Sequence, residues 1–314
     1  MDRAGKREPD RVPGGFKGET SMGGRDMPPG ISIDAARLPP HDDFMAPGTK
    51  APLGTRCVER TLWLLKALST RGEFGWRLSD LAEQAGLDRA TCHRMLACLV
   101  KEGYAQRYPR DVKYYPGQLL FEMGLALPGY THFQELAAPR LEQIGASTGC
   151  IASLSLRSGD DIVCIAQNRG SADLAGMLIR VGSRRPLFAA VAGLAILQLL
   201  PAAEQARIIE ENTQREVRSR GARRLKDLAR MRALSAQAGF GYTVSDLAPG
   251  ISAMAVALRD AAGRPFAGLT LTGSNATLHD DIVATYHAQM VDAASGIEAD
   301  ALQCLRAPTH ISGT

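Results

Sequence analysis

The 314-residue chain is short of aromatic residues, which make up 5% of it and include only two tryptophans, so its cores must be mainly aliphatic. No apolar run reaches the length of a membrane span, so no transmembrane helix is expected. The first thirty or so residues contain no apolar segment, so no secretory signal is expected either. The six cysteines are Cys57, Cys92, Cys98, Cys150, Cys164 and Cys304. None forms a CxxC pair, and no histidine stands at zinc-ligand spacing from them. No metal is expected, and buried thiols in a reducing cytoplasm fit the pattern better than a disulfide framework. The chain also lacks a G-x-S-x-G, an H-E-x-x-H and a P-loop. Gly239-Phe-Gly-Tyr-Thr-Val opens like a dinucleotide fingerprint, but it lacks the third glycine and runs from helix into strand. No cofactor is expected. Nor is there a large excess of one charge: 37 Lys/Arg face 33 Asp/Glu, a net +4 that does not by itself imply nucleic acid.

What is present suffices for two ordinary domains, since 45% of the residues are hydrophobic. Residues 1–54 hold nine glycines and eight prolines, with eight basic residues balanced by eight acidic ones. They are expected to be a disordered extension, not a basic arm. Arg56–Thr70 places Val58, Leu62, Leu65 and Leu68 on one face of an amphipathic helix. Leu78–Gly86 follows, with Ser79 as N-cap and Gly86 as stop. Asp88 can cap the next helix, in which Cys92, Leu96 and Leu99 share a face. Helix, glycine turn and helix make a helix-turn-helix. Two Tyr-rich segments around Pro109-Arg110-Asp111 add a short β-ribbon with a basic tip. Residues 55–117 therefore read as a winged helix-turn-helix.

Residues 118–129 read as a linker helix that Pro128-Gly129 ends. From 130 to 305 the pattern is α+β. A helix at Phe133–Ser147 leads into a hairpin, Cys150–Leu156 and Ile162–Gln167. Leu174–Val181 is a further expected strand, and Ala189–Leu200 a nearly all-apolar helix. Glu204–Asn212 and Ala222–Ala238 are more polar helices. Strands follow from Gly239 to about Ser245, then at Ala253–Arg259 and Phe266–Thr272. A long helix, Leu278–Leu305, precedes a tail at 306–314.

VERTLWLLKAL, LSDLAEQAGLDRATCHRML and GYAQRYPRDVKYYPG resemble the IclR-type bacterial transcriptional regulators. So do RVGSRRPLFAA and GYTVSDLAPGISAMAVALRDAAGRPFAGLTLTG further on. The resemblance runs from near Arg56 to near Leu302. It implies an α+β chain: an N-terminal winged helix-turn-helix, a linker helix and a C-terminal GAF-like effector-binding domain. It also implies dimers or tetramers, a double-stranded DNA operator and a small-molecule effector.

On the second helix of the motif, Arg94 points about 200° from both Cys92 and Leu96, hence outward. Arg89 and Thr91 sit in the first turn, where backbone N–H groups attract phosphate, and His93 lies beside them. Arg89 and Arg94 can read guanine edges or grip phosphates. Arg107, Arg110 and Lys113 on the wing suit backbone or minor-groove contact. The bland alternative is an ordinary solvated helix. Carried over from the family position by position, an effector pocket comprises Leu174, Met177, Val191, Ala192, Ile251, Ala253, Thr270 and Thr272, with Asp246 or Ser245 as a polar contact. Phe188, Leu194 and Ala253 depart from the family's common His, Lys and Cys. They favour a larger or aromatic acid over a small keto acid. The Gly182-Ser183 turn also fits a plain strand-to-helix connection.

The expected function is control of a catabolic operon through a palindromic operator and a small organic acid. An enzyme with an accessory DNA-binding module is the rival, opposed by the lack of a nucleophile–base pattern. A constitutive binder whose sensor has lost its ligand is a third option. The basic run from Arg215 to Lys226 reads as a solvated loop and helix start. Asp160-Asp161 and Asp280-Asp281 read as a turn and a helix start.

Overall fold

The computed structural model describes residues 55–71, 74–109, 111–168, 180–245 and 249–305, the side chains of 219 and 220 excepted. The proposed extension and tail, the strand from Leu174, and Arg110, Leu174, Met177 and Asp246 lie outside them.

The first part is α1 (Arg56–Arg71), β1 (Trp76–Arg77), α2 (Leu78–Ala85), α3 (Arg89–Lys101), β2 (Ala105–Gln106) and β3 (Lys113–Pro116). The strands form an antiparallel sheet in the order β1-β3-β2. Cys92, Leu96 and Leu99 do face inward, against Leu64, Leu68, Trp76 and Leu81. Gly86 ends α2 at φ 60°, a left-handed position that costs glycine little. Asp88 caps α3, accepting from Thr91 N at 2.8 Å.

Two expectations here need correcting. Ser79 is not the cap of α2. Arg77 holds that position without a side-chain cap, and Ser79 Oγ bonds Asp80 Oδ1 at 2.9 Å instead. The buried face of α1 is Trp63, Leu64, Ala67 and Leu68. Val58 and Leu62 are 57% and 50% exposed, on the opposite arc. The helix is apolar on both sides, and the bulky Trp63 decides which side packs.

α4 (Gln118–Leu125) buries none of its side chains. Pro128-Gly129 does not close a helix but opens α5 (Pro128–Thr148). Proline suits a first helical turn, where its missing N–H would be unpaired anyway.

Next come β4 (Ile151–Ser158), β5 (Asp161–Gln167), β6 (Arg184–Pro186), α6 (Val191–Leu197), α7 (Ala202–Arg220) and α8 (Leu225–Ala238). β7 (Gly241–Val244), β8 (Ile251–Arg259), β9 (Pro265–Ser274) and α9 (Asp280–Cys304) complete the chain. One antiparallel sheet runs β6-β5-β4-β9-β8-β7. Its sixth strand is Arg184–Pro186. The anticipated hairpin is present, turning at Gly159-Asp160.

Strand alternation gives the sheet two faces. Leu154, Met254, Val256, Leu269 and Leu271 pack under α5 and α9. Ala253, Ala255 and Ile162 face α6 and α7. α6 is shorter than expected but wholly buried. It lies so close to the sheet that a Cβ on Gly268 would come within 2.8 Å of Ala192 Cβ.

The basic run is no loop. α7 continues through it as helix, and a 3-10 turn, Ala222–Arg224, leads into α8. Arg215 is buried on Asp161, and Arg224 meets the fully buried Glu216 at 2.9 Å. Asp160 and Asp161 stand at the turn but also hold α7, through Arg207 on Asp160 at 2.8 Å and Arg215 on Asp161, while Arg184 of β6 meets Asp161 at 3.3 Å. Cys92, Cys150 and Cys164 are buried as expected, whereas Cys57 and Cys98 are exposed. No described helix is long and apolar enough to cross a membrane.

Candidate DNA interface and effector face

Arg89, His93 and Arg94 project from α3 into solvent, with Thr91 half-buried among them. Arg94 Nη2 donates to Thr91 Oγ1 at 3.0 Å, which lays the guanidinium along the exposed face. The Thr91 contacts hold the Asp88 carboxyl below the usual carboxylate range. The cap therefore stays ionised and keeps the first turn formed at neutral pH.

The wing is braced from within. Asp111 accepts from Tyr115 Oη and, at 3.0 Å, from Lys113 N. Tyr115 holds the Asp111 carboxyl below its usual range, and Asp111 raises the phenol in return. Tyr108 packs edge-on against Tyr115 at 5.3 Å. Arg107 is exposed, its guanidinium 5.6 Å from the Tyr114 ring. Lys113 is less free than a phosphate contact suggests, because its Nζ donates to Phe74 O at 2.9 Å.

Arg77 was missed. It is exposed, and it sits opposite Lys113 in the β1–β3 ladder. Like charges placed opposite each other oppose pairing, and a bound phosphate would relieve that repulsion. The signal in the sequence was an arginine just before the helix-turn-helix.

Arg94→Ala is expected to lower affinity for a selected operator by about 1–3 kcal/mol and relax one base position. Footprinting with unchanged base preference would remove Arg94 from the interface.

The second candidate site is the sheet face under α6. Ala253 pairs with Thr272 and Thr243, and Thr270 pairs with Ala255 and Ser153. Alternation puts these side chains on one face. Val191 and Ala192 meet it from α6, beside Gly241 and Gly268. Ile251 lies two residues before Ala253, half-buried on the same face. The hydroxyls of Ser153, Thr270 and Thr272 make no hydrogen bond among the described residues. Ser245, one of the two polar contacts considered, is engaged elsewhere: Gly250 N and Asn275 Nδ2 donate to its Oγ at 3.2 and 2.8 Å.

The alternation of Ile151-Ala-Ser-Leu-Ser155 could have added Ser153 and Ser155 to this face. Ser155 pairs with Cys164, whose thiol burial pushes up to about 11. That thiol is a neutral wall. Arg185, opposite Ile162, brings positive charge to the β6 margin of the same face.

Two family models match the chain. "IclR helix-turn-helix domain" matches residues 57–109, and "Bacterial transcriptional regulator IclR C-terminal" matches 129–299. The HTH-type transcriptional regulator BhcR of Paracoccus denitrificans is 23% identical over 245 residues, covering 77% of this chain and 85% of that one. An IclR family transcriptional regulator from Brucella abortus superposes with a TM-score of 0.63 at 18% identity, over 82% of this chain and 98% of its own. An IclR homologue from Microbacterium hydrocarbonoxydans, solved with 4-hydroxybenzoate, gives a TM-score of 0.55 at 22% identity, over 79% and 99%.

Proposed function

The chain belongs to the IclR family of bacterial, ligand-responsive transcriptional regulators, and from that premise we propose that it controls a catabolic operon by binding a palindromic operator and a small aromatic acid. It acts in the cytoplasm, as a homodimer or homotetramer, and without enzymatic turnover.

One observation carries the effector reading. The face formed by Ala253, Thr270, Thr272 and Ser153 offers small side chains and hydroxyls, and Arg185 is its cation. Such a surface suits a flat apolar body with a polar rim and one carboxylate. The relative solved with 4-hydroxybenzoate supports that chemistry. The exposed Arg89, His93 and Arg94 would enter the major groove, while Arg77, Arg107 and Lys113 grip the backbone. Effector binding need shift the operator complex by only about 1–3 kcal/mol to change occupancy.

The test is operator binding titrated with 4-hydroxybenzoate, other aromatic acids and short aliphatic acids. Release or tightening by an aromatic acid alone is the expected result. A response confined to short keto acids would overturn the aromatic assignment. Ala253→Phe should abolish the response while operator affinity and effector-free melting stay unchanged. A variant that melts lower and still responds would put Ala253 in solid packing, where overfilling costs about 1–3 kcal/mol.

A further inference from the structure

The outer side of α6 borders a cleft of about 510 Å³, a volume within the range of small-molecule sites. Leu194 and Leu197 of α6 form its floor, Ile209 of α7 flanks it, and α8 lines the rest. Ala192 packs on Gly268 of the sheet, and it stands roughly 200° around the helix from Leu194. One helix thus separates this cleft from the sheet face.

Two glutamines brace the cleft. Gln198 Nε2 donates to Ser235 O at 3.1 Å, which ties the end of α6 to α8. Gln205 Nε2 donates to Leu197 O at 2.8 Å, which ties α7 to α6. Space remains between the braced helices because the walls offer only alanine at Ala206 and Ala236, both exposed. A large side chain at either position would fill it.

The polar groups around the cleft carry both signs of charge and are largely uncommitted. Arg232 makes no ion pair or hydrogen bond among the described residues. Glu210 lines the same cleft, accepts from Gln214 at 3.3 Å, and forms no ion pair with Arg232. The side-chain oxygens of Gln198 and Gln205 accept no hydrogen bond among the described residues. A simple carboxylic acid would answer Arg232 and leave the carboxylate and both amide oxygens without a donor. A simple amine would leave Arg232 without an acceptor. An α-amino acid with an apolar side chain supplies a carboxylate, an ammonium with three donors, and a body for the aliphatic floor.

We propose that this cleft is a second small-molecule site, distinct from the effector face, and that it takes a free apolar α-amino acid. Arg232 donates to the carboxylate, Glu210 and the two glutamine oxygens accept from the ammonium, and the side chain lies on Leu194, Leu197 and Ile209.

The experiment is equilibrium dialysis of the full chain against L-leucine, L-methionine and L-phenylalanine. At least one should be retained with a Kd below about 1 mM. The N-acetyl and carboxamide derivatives of that amino acid each lack one charge, and should bind at least about tenfold more weakly. Arg232→Gln should weaken binding by about tenfold as well. Ala206→Trp should abolish it, and both variants should melt with the wild type. Retention of none of the three amino acids overturns the site. So do derivatives that bind as tightly as the parent, or binding undiminished in Arg232→Gln and Ala206→Trp. If Ala206→Trp melts lower, Arg232→Gln decides alone, because its side chain is exposed.

Discussion

A chain carrying Phe121→Glu and Leu125→Glu is expected to sediment as a smaller species and to lose operator affinity by about 100-fold or more. The reason is the unburied apolar surface near the winged helix. On α4, Phe121, Met123 and Leu125 are 69%, 51% and 58% exposed, and α1 exposes Val58 and Leu62. Large apolar side chains exposed along one helix suit an association surface. A palindromic operator needs two recognition helices held together, and separating them forfeits the gain in effective concentration. Analytical ultracentrifugation and operator binding measure both halves of the expectation. An oligomer of unchanged size with wild-type affinity would place the assembly surface elsewhere.

The second large effect concerns stability. Asp161 is 6% exposed and accepts from Arg215 and Arg184. Burial outweighs both guanidiniums and pushes its carboxyl above the usual range. A buried ion pair is weak evidence for net stability, because desolvation offsets the attraction. Breaking it is another matter. Asp161→Asn leaves Arg215 buried opposite a neutral amide, at an expected cost of about 3–5 kcal/mol. Replacing both partners, Asp161→Leu with Arg215→Met, should recover most of that loss, because neither charge of the pair then remains buried and the partly exposed Arg184 can turn to solvent. Denaturant unfolding of the two variants decides. A single variant as stable as wild type would show that water or a neighbouring group reaches Arg215.

Those arginines show where the sequence could be read and where it could not. The helix-turn-helix was legible because Gly86, Asp88 and the Cys92–Leu96–Leu99 spacing agree on it. The hairpins were legible because alternation and turn residues coincide at Gly159-Asp160 and at Asp260–Arg264. The packed side of α1 was not, since both arcs are apolar and only tertiary contact selects Trp63 over Val58. Pro128 serves equally as a stop or a first helical residue. The stretch from Arg215 to Arg224 looked like a loop because its polar residues hide their partners. Those partners, Asp161 and Glu216, are buried by segments remote in sequence or by the helix itself. On the proposed effector face, Thr270 and Thr272 came from the resemblance; strand alternation could have offered Ser153 and Ser155, but only the register of β4 against β9 and β5 puts them on the same face.

The pairing of β4 with β9 also governs the order in which the molecule is made. Every contact of the small β1-β3-β2 sheet lies before Gly117, whereas β4 waits for a neighbour that ends at Ser274. At ordinary translation rates the ribosome needs roughly 8 to 30 seconds to cross that interval. Local contacts form early and distant strand pairs late. Each newly made molecule thus has the whole of its small sheet before the strand that completes its larger one.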